Sequence, residues 1–240
     1  MVLAIDERQS PGMKTTVEQH LYERLLRQPL FQGMSRSDME QIISGTKIEF
    51  CIFKKNQTIA AENAPCVKLF FLLDGSVEAR SYSDDHGYVF SEPSSCPYML
   101  QPERMFGLSQ HYTKTFIATS ACEFLAIHKN EIARLSSQFM IFRINLLNIV
   151  STQSQKLSRL AWHVAATPRQ RITRFFLDRC SCPSGPKTVR IKIVRLAEEI
   201  NDNRVTVSRE LNAMQSEGLL TFSRGVIHIP ALEKLAMQKP

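Results

Sequence analysis

Between Lys47 and Ile127 the apolar positions come in short runs with turn residues between them, and that rhythm predicts strands. The runs are Ile48–Phe53, Val67–Leu73, Ser76–Tyr82, Tyr88–Phe90, Thr115–Thr119 and Glu123–Ile127. Asp74-Gly75 lies between two of them and is a hairpin signal, because a tight turn needs residues that tolerate positive φ. Asp84-Asp85-His86-Gly87 reads as a second turn. Upstream, Val17 to Arg27 predicts a short helix stopped by Pro29. Ser35 to Ile43 predicts another, capped by Ser35 with Met39, Ile42 and Ile43 inward. Residues 1–14, with Pro11-Gly12, read as a flexible leader.

From residue 130 to 164 the period changes to that of a helix. Leu135, Phe139, Phe142, Leu146 and Ile149 follow spacings of 4, 3, 4 and 3, and Leu157, Leu160 and Val164 resume the seam after a polar break at Gln153 and Ser154. A helix of ~35 residues would be roughly 50 Å long. That length and the repeating seam favour a dimerisation helix over one packed inside a single subunit. Ala165-Ala166-Thr167-Pro168 reads as the hinge that ends it, since a proline disfavours helix at the preceding residue.

Beyond the hinge, Arg171 to Leu177 predicts a helix with Ile172, Phe175 and Phe176 inward. Pro183-Ser-Gly185-Pro186 predicts a loop, and Thr188–Ile193 a strand. Leu196, Ala197 and Ile200 then mark one short helix, and Val207 and Leu211 mark a second. Asn201 sits in the turn between them, where αL geometry is often needed, and Asn203 is placed to cap the second helix. Ser223-Arg224-Gly225 followed by the alternating Val226, Ile227, His228 and Ile229 predicts a hairpin wing.

Charge sharpens this picture. The net charge is +7. Residues 161–240 hold 13 Lys and Arg against 7 Asp and Glu, whereas residues 1–160 hold 17 against 16. The surplus therefore sits with the two-helix motif, the distribution a phosphate backbone favours. The second helix offers Arg204, Val205, Thr206, Ser208 and Arg209 at its N-terminal end, with Arg195 on the first helix and Arg224 at the wing.

These residues carry a family resemblance. Leu196-Ala197, Arg204, Thr206-Val207-Ser208-Arg209, Leu211, Met214 and Gly218-Leu219-Leu220 are similar to the helix-turn-helix pattern of the CRP/FNR superfamily. The Asp74-Gly75 and Asp84–Gly87 turns, and Ser120-Ala121-Cys122-Glu123 running into Phe124-Leu125-Ala126-Ile127, resemble the β-roll of its cyclic-nucleotide-binding-like sensor domain. The resemblance implies an α+β chain: a double-stranded β-helix (β-roll), a long dimerisation helix and a winged helix-turn-helix. The implied boundaries are 1–14 leader, 15–129 β-roll sensor, 130–166 dimerisation helix and hinge, and 167–240 DNA-binding domain. It implies a homodimeric transcription regulator on a pseudo-palindromic operator in double-stranded DNA, with RNA polymerase as a further partner. Asn203, Arg204, Val205, Thr206, Ser208, Arg209, Arg195 and Arg224 are its DNA-binding candidates. Leu135, Phe139, Phe142, Leu146, Ile149, Leu157 and Leu160 are its dimer interface.

The effector site departs from the pattern. Cyclic-AMP binders of this family use a Gly-Glu pair for the ribose and an Arg-Ser or Arg-Thr pair for the phosphate. Aligned on Gly107 and the Ser120–Glu123 anchor, this chain has Leu108 and Tyr112-Thr113 at those places. Leucine cannot accept the ribose hydroxyl, and tyrosine cannot neutralise a desolvated phosphate. Gly107, Leu108, Tyr112, Thr113, Lys114, Gln153 and Ser154 are thus the candidate pocket for an unknown small-molecule effector other than cyclic AMP. Two alternatives stay open: an effector-binding module with a vestigial winged helix, or a haem- or gas-sensing member. His86, His111 and His128 lie in the roll, but no spacing singles out a haem ligand pair.

The remaining features exclude other classes. Six cysteines, at 51, 66, 96, 122, 180 and 182, show no metal or redox spacing, so reduced structural thiols are expected and no metal. No paired carboxylates, nucleophile motif or phosphate-cradling glycine loop suggests an enzyme. No apolar run approaches 18 residues, and Asp6, Glu7 and Arg8 interrupt any signal-peptide pattern, so a cytoplasmic protein without membrane contact is expected.

Overall fold

The computed structural model describes the backbone of residues 2–3, 21–162 and 167–237, and the side chains of residues 21–156 and 167–237. Most of the expected leader, the start of the first predicted helix, the side chains of Leu157 and Leu160, Val164 and the Ala165-Ala166 half of the expected hinge lie outside these. The chain divides into two compact units, Met1–Val77 with Ser94–Ser154, and Glu78–Pro93 with Gln155–Pro240. No helix among the described residues is long and apolar enough to cross a membrane.

In the first unit a two-residue strand, β1 (Val2–Leu3), precedes a helical stretch, α1 (residues 21–26), and then α2 (Arg36–Gly45). As the sequence predicts, Ser35 caps α2, its hydroxyl accepting from the Asp38 N–H at 3.1 Å. The strands that follow along the chain are β2 (Ile48–Phe53), β3 (Thr58–Ala60), β4 (Lys68–Asp74), β5 (Ser76–Tyr82), β6 (Val89–Ser95), β7 (Tyr98–Met99), β8 (Thr115–Ala118) and β9 (Cys122–His128), of which residues 78–93 of β5 and β6 belong to the second unit. One antiparallel sheet has the order β1-β2-β9-β4-β7. Its central strand β9 pairs Ile127 with Ile48 on one side and Leu69 on the other. Phe124 to Ile127 are all buried, so this strand is a continuous apolar run rather than an alternation. Gly75 makes the β4–β5 turn at φ 95°, and a Cβ there would collide with the Ala121 carbonyl and Cys122. The short β3 and β7 were not legible in the apolar pattern.

The expected single helix over 130–164 is two helices, α3 (Lys129–Gln138) and α4 (Met140–Trp162), broken at Phe139. Phe139 has φ −115° and ψ 111°. Ser136 and Ser137 just before it turn their hydroxyls back onto the Ile132 and Ala133 carbonyls, at 2.8 and 3.1 Å. Such back-bonds share carbonyls with the helix ladder, which slightly destabilises and often bends a helix. The seam also divides differently. Leu135 and Phe142 are fully buried within their own chain, and the Phe142 ring meets Phe31 edge-on at 5.5 Å. Asn145 donates to the Leu30 and Gln32 carbonyls, at 3.1 and 2.8 Å, on the same side. Leu135 and Phe142 therefore fill the first unit's core instead of an intersubunit seam. Phe139, Leu146 and Ile149 are half-buried. A second apolar stripe, Met140, Ile144 and Leu147, with Ile141 and Val150 beside it, is exposed.

The second unit contains α5 (Pro168–Arg179), β10 (Lys187–Arg190), α6 (Ile193–Glu199), α7 (Arg204–Ser216), β11 (Thr221–Ser223), β12 (Val226–Ile229) and α8 (Leu232–Ala236). Pro168 opens α5, where its missing N–H costs nothing, and Thr167 and Gln170 form a reciprocal capping box. The predicted strand over 188–193 stops at Arg190, because Lys192 already adopts the cap position of α6. The hairpin segment 78–93, read from sequence as part of the roll, is grouped with this unit. β6 extends its sheet, pairing Val89, Phe90 and Ser91 with Arg190, Val189 and Thr188. Tyr88 and Phe90 join Ile172, Phe175, Phe176, Leu196, Val207 and Leu211 in one core.

Candidate nucleic-acid interface

The two-helix motif is built by its turn. The chain leaves α6 at Ile200, and Asn201 takes φ 51°, the left-handed geometry expected there. The Asp202 N–H then donates to the Ala197 carbonyl at 2.9 Å. The Asp202 carboxylate accepts from the Asn203 N–H at 2.8 Å and pairs with Arg171 of α5. Those two donors hold its carboxyl below the usual carboxylate range, the Asn203 N–H foremost. Asn203 is the N-cap of α7, its side-chain oxygen accepting from the Thr206 N–H at 2.8 Å. Ala197, Leu196 and Ile200 of α6 pack on Val207, Leu211 and Met214 of α7 in the shared core.

That packing decides what α7 shows to solvent. Arg204, Val205 and Arg209 are exposed, Val205 at 78%, and Thr206 and Ser208 are half-buried. No acidic residue lies in the first turn. The wing turn comes next: Arg224 at φ 49° and Gly225 at φ 80°, the paired positive φ of a tight hairpin, lift the exposed Arg224 at the tip. The Ile191 N–H donates to the Gly225 carbonyl at 2.8 Å, tying the wing to the segment entering α6.

Much of the basic surplus is spent inside the unit. Arg169 bridges to Glu217, and Arg179 pairs with Glu199 at 2.6 Å while lying over the Phe175 ring at 3.8 Å. Lys187 is buried beside Glu92 at 3.8 Å. Arg195 is held by Asp85 at 2.9 Å, Glu199 at 2.9 Å and Glu198 at 3.4 Å. Arg204 and Arg224, by contrast, have no ion pair among the described residues. Sequence reasoning placed Arg195 among the outward cations without its three carboxylates. The acidic pair Asp84-Asp85 was the available signal.

The candidate effector residues scatter. Leu108 is fully exposed, and Gly107 beside it has φ 96°. Tyr112 is a core residue: its hydroxyl donates to the Lys68 carbonyl at 3.1 Å and its ring meets Phe116 at 6.1 Å. Burial pushes its phenol far above the usual value. Thr113 is bracketed by Gln101, whose amide donates to the hydroxyl at 2.7 Å while its oxygen accepts the Thr113 N–H at 2.9 Å. Lys114 is buried, Gln153 half-buried and Ser154 exposed. His128 caps α3, its ring nitrogen accepting from the Asn130 N–H at 3.3 Å. Among the described residues no group of three or more His, Cys, Asp and Glu side chains could hold a metal ion.

Residues 170–237 match the model of the Crp-like helix-turn-helix domain. No curated protein matches the chain. The catabolite activator protein of Thermus thermophilus shares its fold at 17% identity, covering 87% of this chain and 96% of that one with a TM-score of 0.50. The sensor domain of the transcriptional regulator DNR from Pseudomonas aeruginosa is similar at 14% identity, covering 63% of this chain and 98% of its own with a TM-score of 0.51. Residues 170–237 thus carry a Crp-like helix-turn-helix domain, and the chain shares the fold of these regulators.

Proposed function

We propose that the protein is a cytoplasmic, homodimeric transcription regulator whose α7 reads a pseudo-palindromic operator. The observation that carries this is the exposed first turn of α7: Arg204, Val205 and Arg209 face solvent on a helix capped by Asn203, with Arg224 at the wing beside it. Such helices present their N-terminal residues to base edges in the major groove. An arginine against guanine contributes roughly 1–3 kcal/mol of discrimination. Thr206 and Ser208 add hydroxyl donors, and Val205 offers a methyl contact for thymine.

Dimerisation is assigned to the exposed stripe of Met140, Ile144 and Leu147 on α4. A two-fold axis along it sets half-sites about one or two helical turns apart. The roll is the sensor of a signal other than cyclic AMP, because Leu108 is exposed and Tyr112 is a core residue where the binders carry a ribose acceptor and a phosphate cation.

Selection from random duplex DNA, followed by affinity measurement with Arg209→Ala, tests the reading. The wild type is expected to enrich a symmetric site, and the variant to bind it about tenfold more weakly, the equivalent of ~1.4 kcal/mol. Equal affinity for the two proteins would remove α7 from the recognition role. No enrichment at all would leave the vestigial winged helix.

A further inference from the structure

The turn between β5 and β6 belongs to the same compact unit as the helix-turn-helix, and it carries an acidic side chain to one of that motif's cations. Asp85 lies 2.9 Å from the Arg195 guanidinium. Arg195 sits on α6, the helix that crosses the phosphate backbone when its partner helix enters the groove. We propose that Asp85 is a built-in competitor for DNA: it shares Arg195 with Glu198 and Glu199 of α6 in the unbound protein, and as the one of the three carried by a separate hairpin it can leave and open that side of the guanidinium to a phosphate.

The turn is made to hold that carboxylate in place. His86 adopts φ 54°, and its ring packs on Tyr82 at 5.5 Å. One oxygen of Asp85 accepts from the Ser83 hydroxyl at 2.7 Å and from the Gly87 N–H at 3.1 Å, while the other faces Arg195. The hydroxyl, the N–H and the guanidinium all favour the ionised form and hold this carboxyl below the usual range. The strand after the turn is anchored. Tyr88 and Phe90 are in the unit's core, the Tyr88 hydroxyl accepts from Arg179 at 2.6 Å, and Glu92 accepts the Ser181 N–H at 2.9 and 3.0 Å. Asp85 itself keeps 55% of its side chain exposed. A firm base with an exposed tip suits a contact that opens without unfolding the domain.

A phosphate near Arg195 would meet the Asp85 charge as repulsion. Exposed pairs of this kind are weak and screened by salt. The expected effect is therefore small in size and specific in pattern.

The inference rests on the DNA-binding reading, and the test separates the two. Wild type, Asp85→Asn, Arg195→Gln and the double variant are titrated onto a fluorescein-labelled duplex obtained by selection, at low and moderate salt. Asparagine keeps the acceptor for Gly87 and Ser83, so the turn is preserved. Asp85→Asn is expected to bind about two- to fivefold tighter than wild type at low salt, with the gain shrinking as salt rises. In the Arg195→Gln background the same change is expected to do nothing. An unchanged or weaker affinity for Asp85→Asn, or an equal gain without Arg195, overturns the competitor role while leaving DNA binding intact. No binding by any variant overturns both readings.

Discussion

Glu92→Ala is the sharpest probe of how the C-terminal unit is held together. Glu92 and Lys187 are 4% and 3% exposed and lie 3.8 Å apart. The carboxylate also receives the Ser181 N–H at 2.9 and 3.0 Å and the Cys182 N–H at 3.4 Å. Truncation to alanine would leave the buried Lys187 ammonium beside the Ser184 carbonyl, at 2.7 Å, without its counter-charge, and would remove the carboxylate that accepts from the Ser181 and Cys182 N–H groups. Breaking a buried pair from one side costs about 3–5 kcal/mol. For a unit of this size roughly 4 °C is lost per kcal/mol, so the transition of the C-terminal unit should fall by roughly 12–20 °C. Scanning calorimetry on the full chain measures this, and hydrogen exchange over residues 179–191 locates it. The pair removed from both sides, as Glu92→Met with Lys187→Met, should recover most of the loss, since matched apolar side chains leave no lone charge. A drop of under ~3 °C for Glu92→Ala would refute the reasoning, because a solvent-reachable pair contributes less than ~1 kcal/mol.

Three further outcomes follow from the same structure. Ile144→Asp with Leu147→Asp should convert a dimer to monomers in sedimentation, and an unchanged dimer would move the interface off α4. Calorimetric titration with cyclic AMP or cyclic GMP should show no binding at physiological levels, and low-micromolar binding of either would contradict the reading of Leu108 and Tyr112. Asp202 and Glu233 have carboxyls held below their usual range, Asp202 by the Asn203 N–H and Arg171, Glu233 by its own N–H and that of Gly185. Their stabilisation is present above about pH 4 and is lost as the pH falls through the folded values. The urea midpoint of the C-terminal unit should therefore drop as the pH falls below about 4, and a flat midpoint there would sink the assignment.

The helix-turn-helix was legible because its constraints are local. Asn201 at positive φ, Asn203 as cap and the apolar faces of Leu196, Val207 and Leu211 all act within a few residues of one another. The longer strands were legible for the same reason, since Asp74-Gly75 and the apolar runs around it signal without distant partners. The seam on α4 was not. That helix carries apolar residues on two sides, and spacing alone cannot say which side meets Phe31 and which is left exposed. Phe142 and Met140 are equally apolar in the sequence; only the contact with Phe31 separates them. Nor could the pattern foresee that Phe90 would pack with Val189. Alternation identifies a strand but not its neighbour, and these two lie far apart in the chain.

That distant pairing has a consequence for synthesis. A chain made at ~5–20 residues per second would complete β6 some seconds before β10 exists to pair with it. Until then Tyr88 and Phe90 have no core to enter, and the β6 edge is open to any other strand. Contacts of such long separation close slowly. The same arithmetic bears on where the protein can be cut. A fragment beginning at Pro168 would have every helix of the motif and its wing, yet it would lack the β5–β6 hairpin of the sheet and two aromatic rings of the core. It should be soluble only when a peptide spanning residues 78–93 is supplied alongside it.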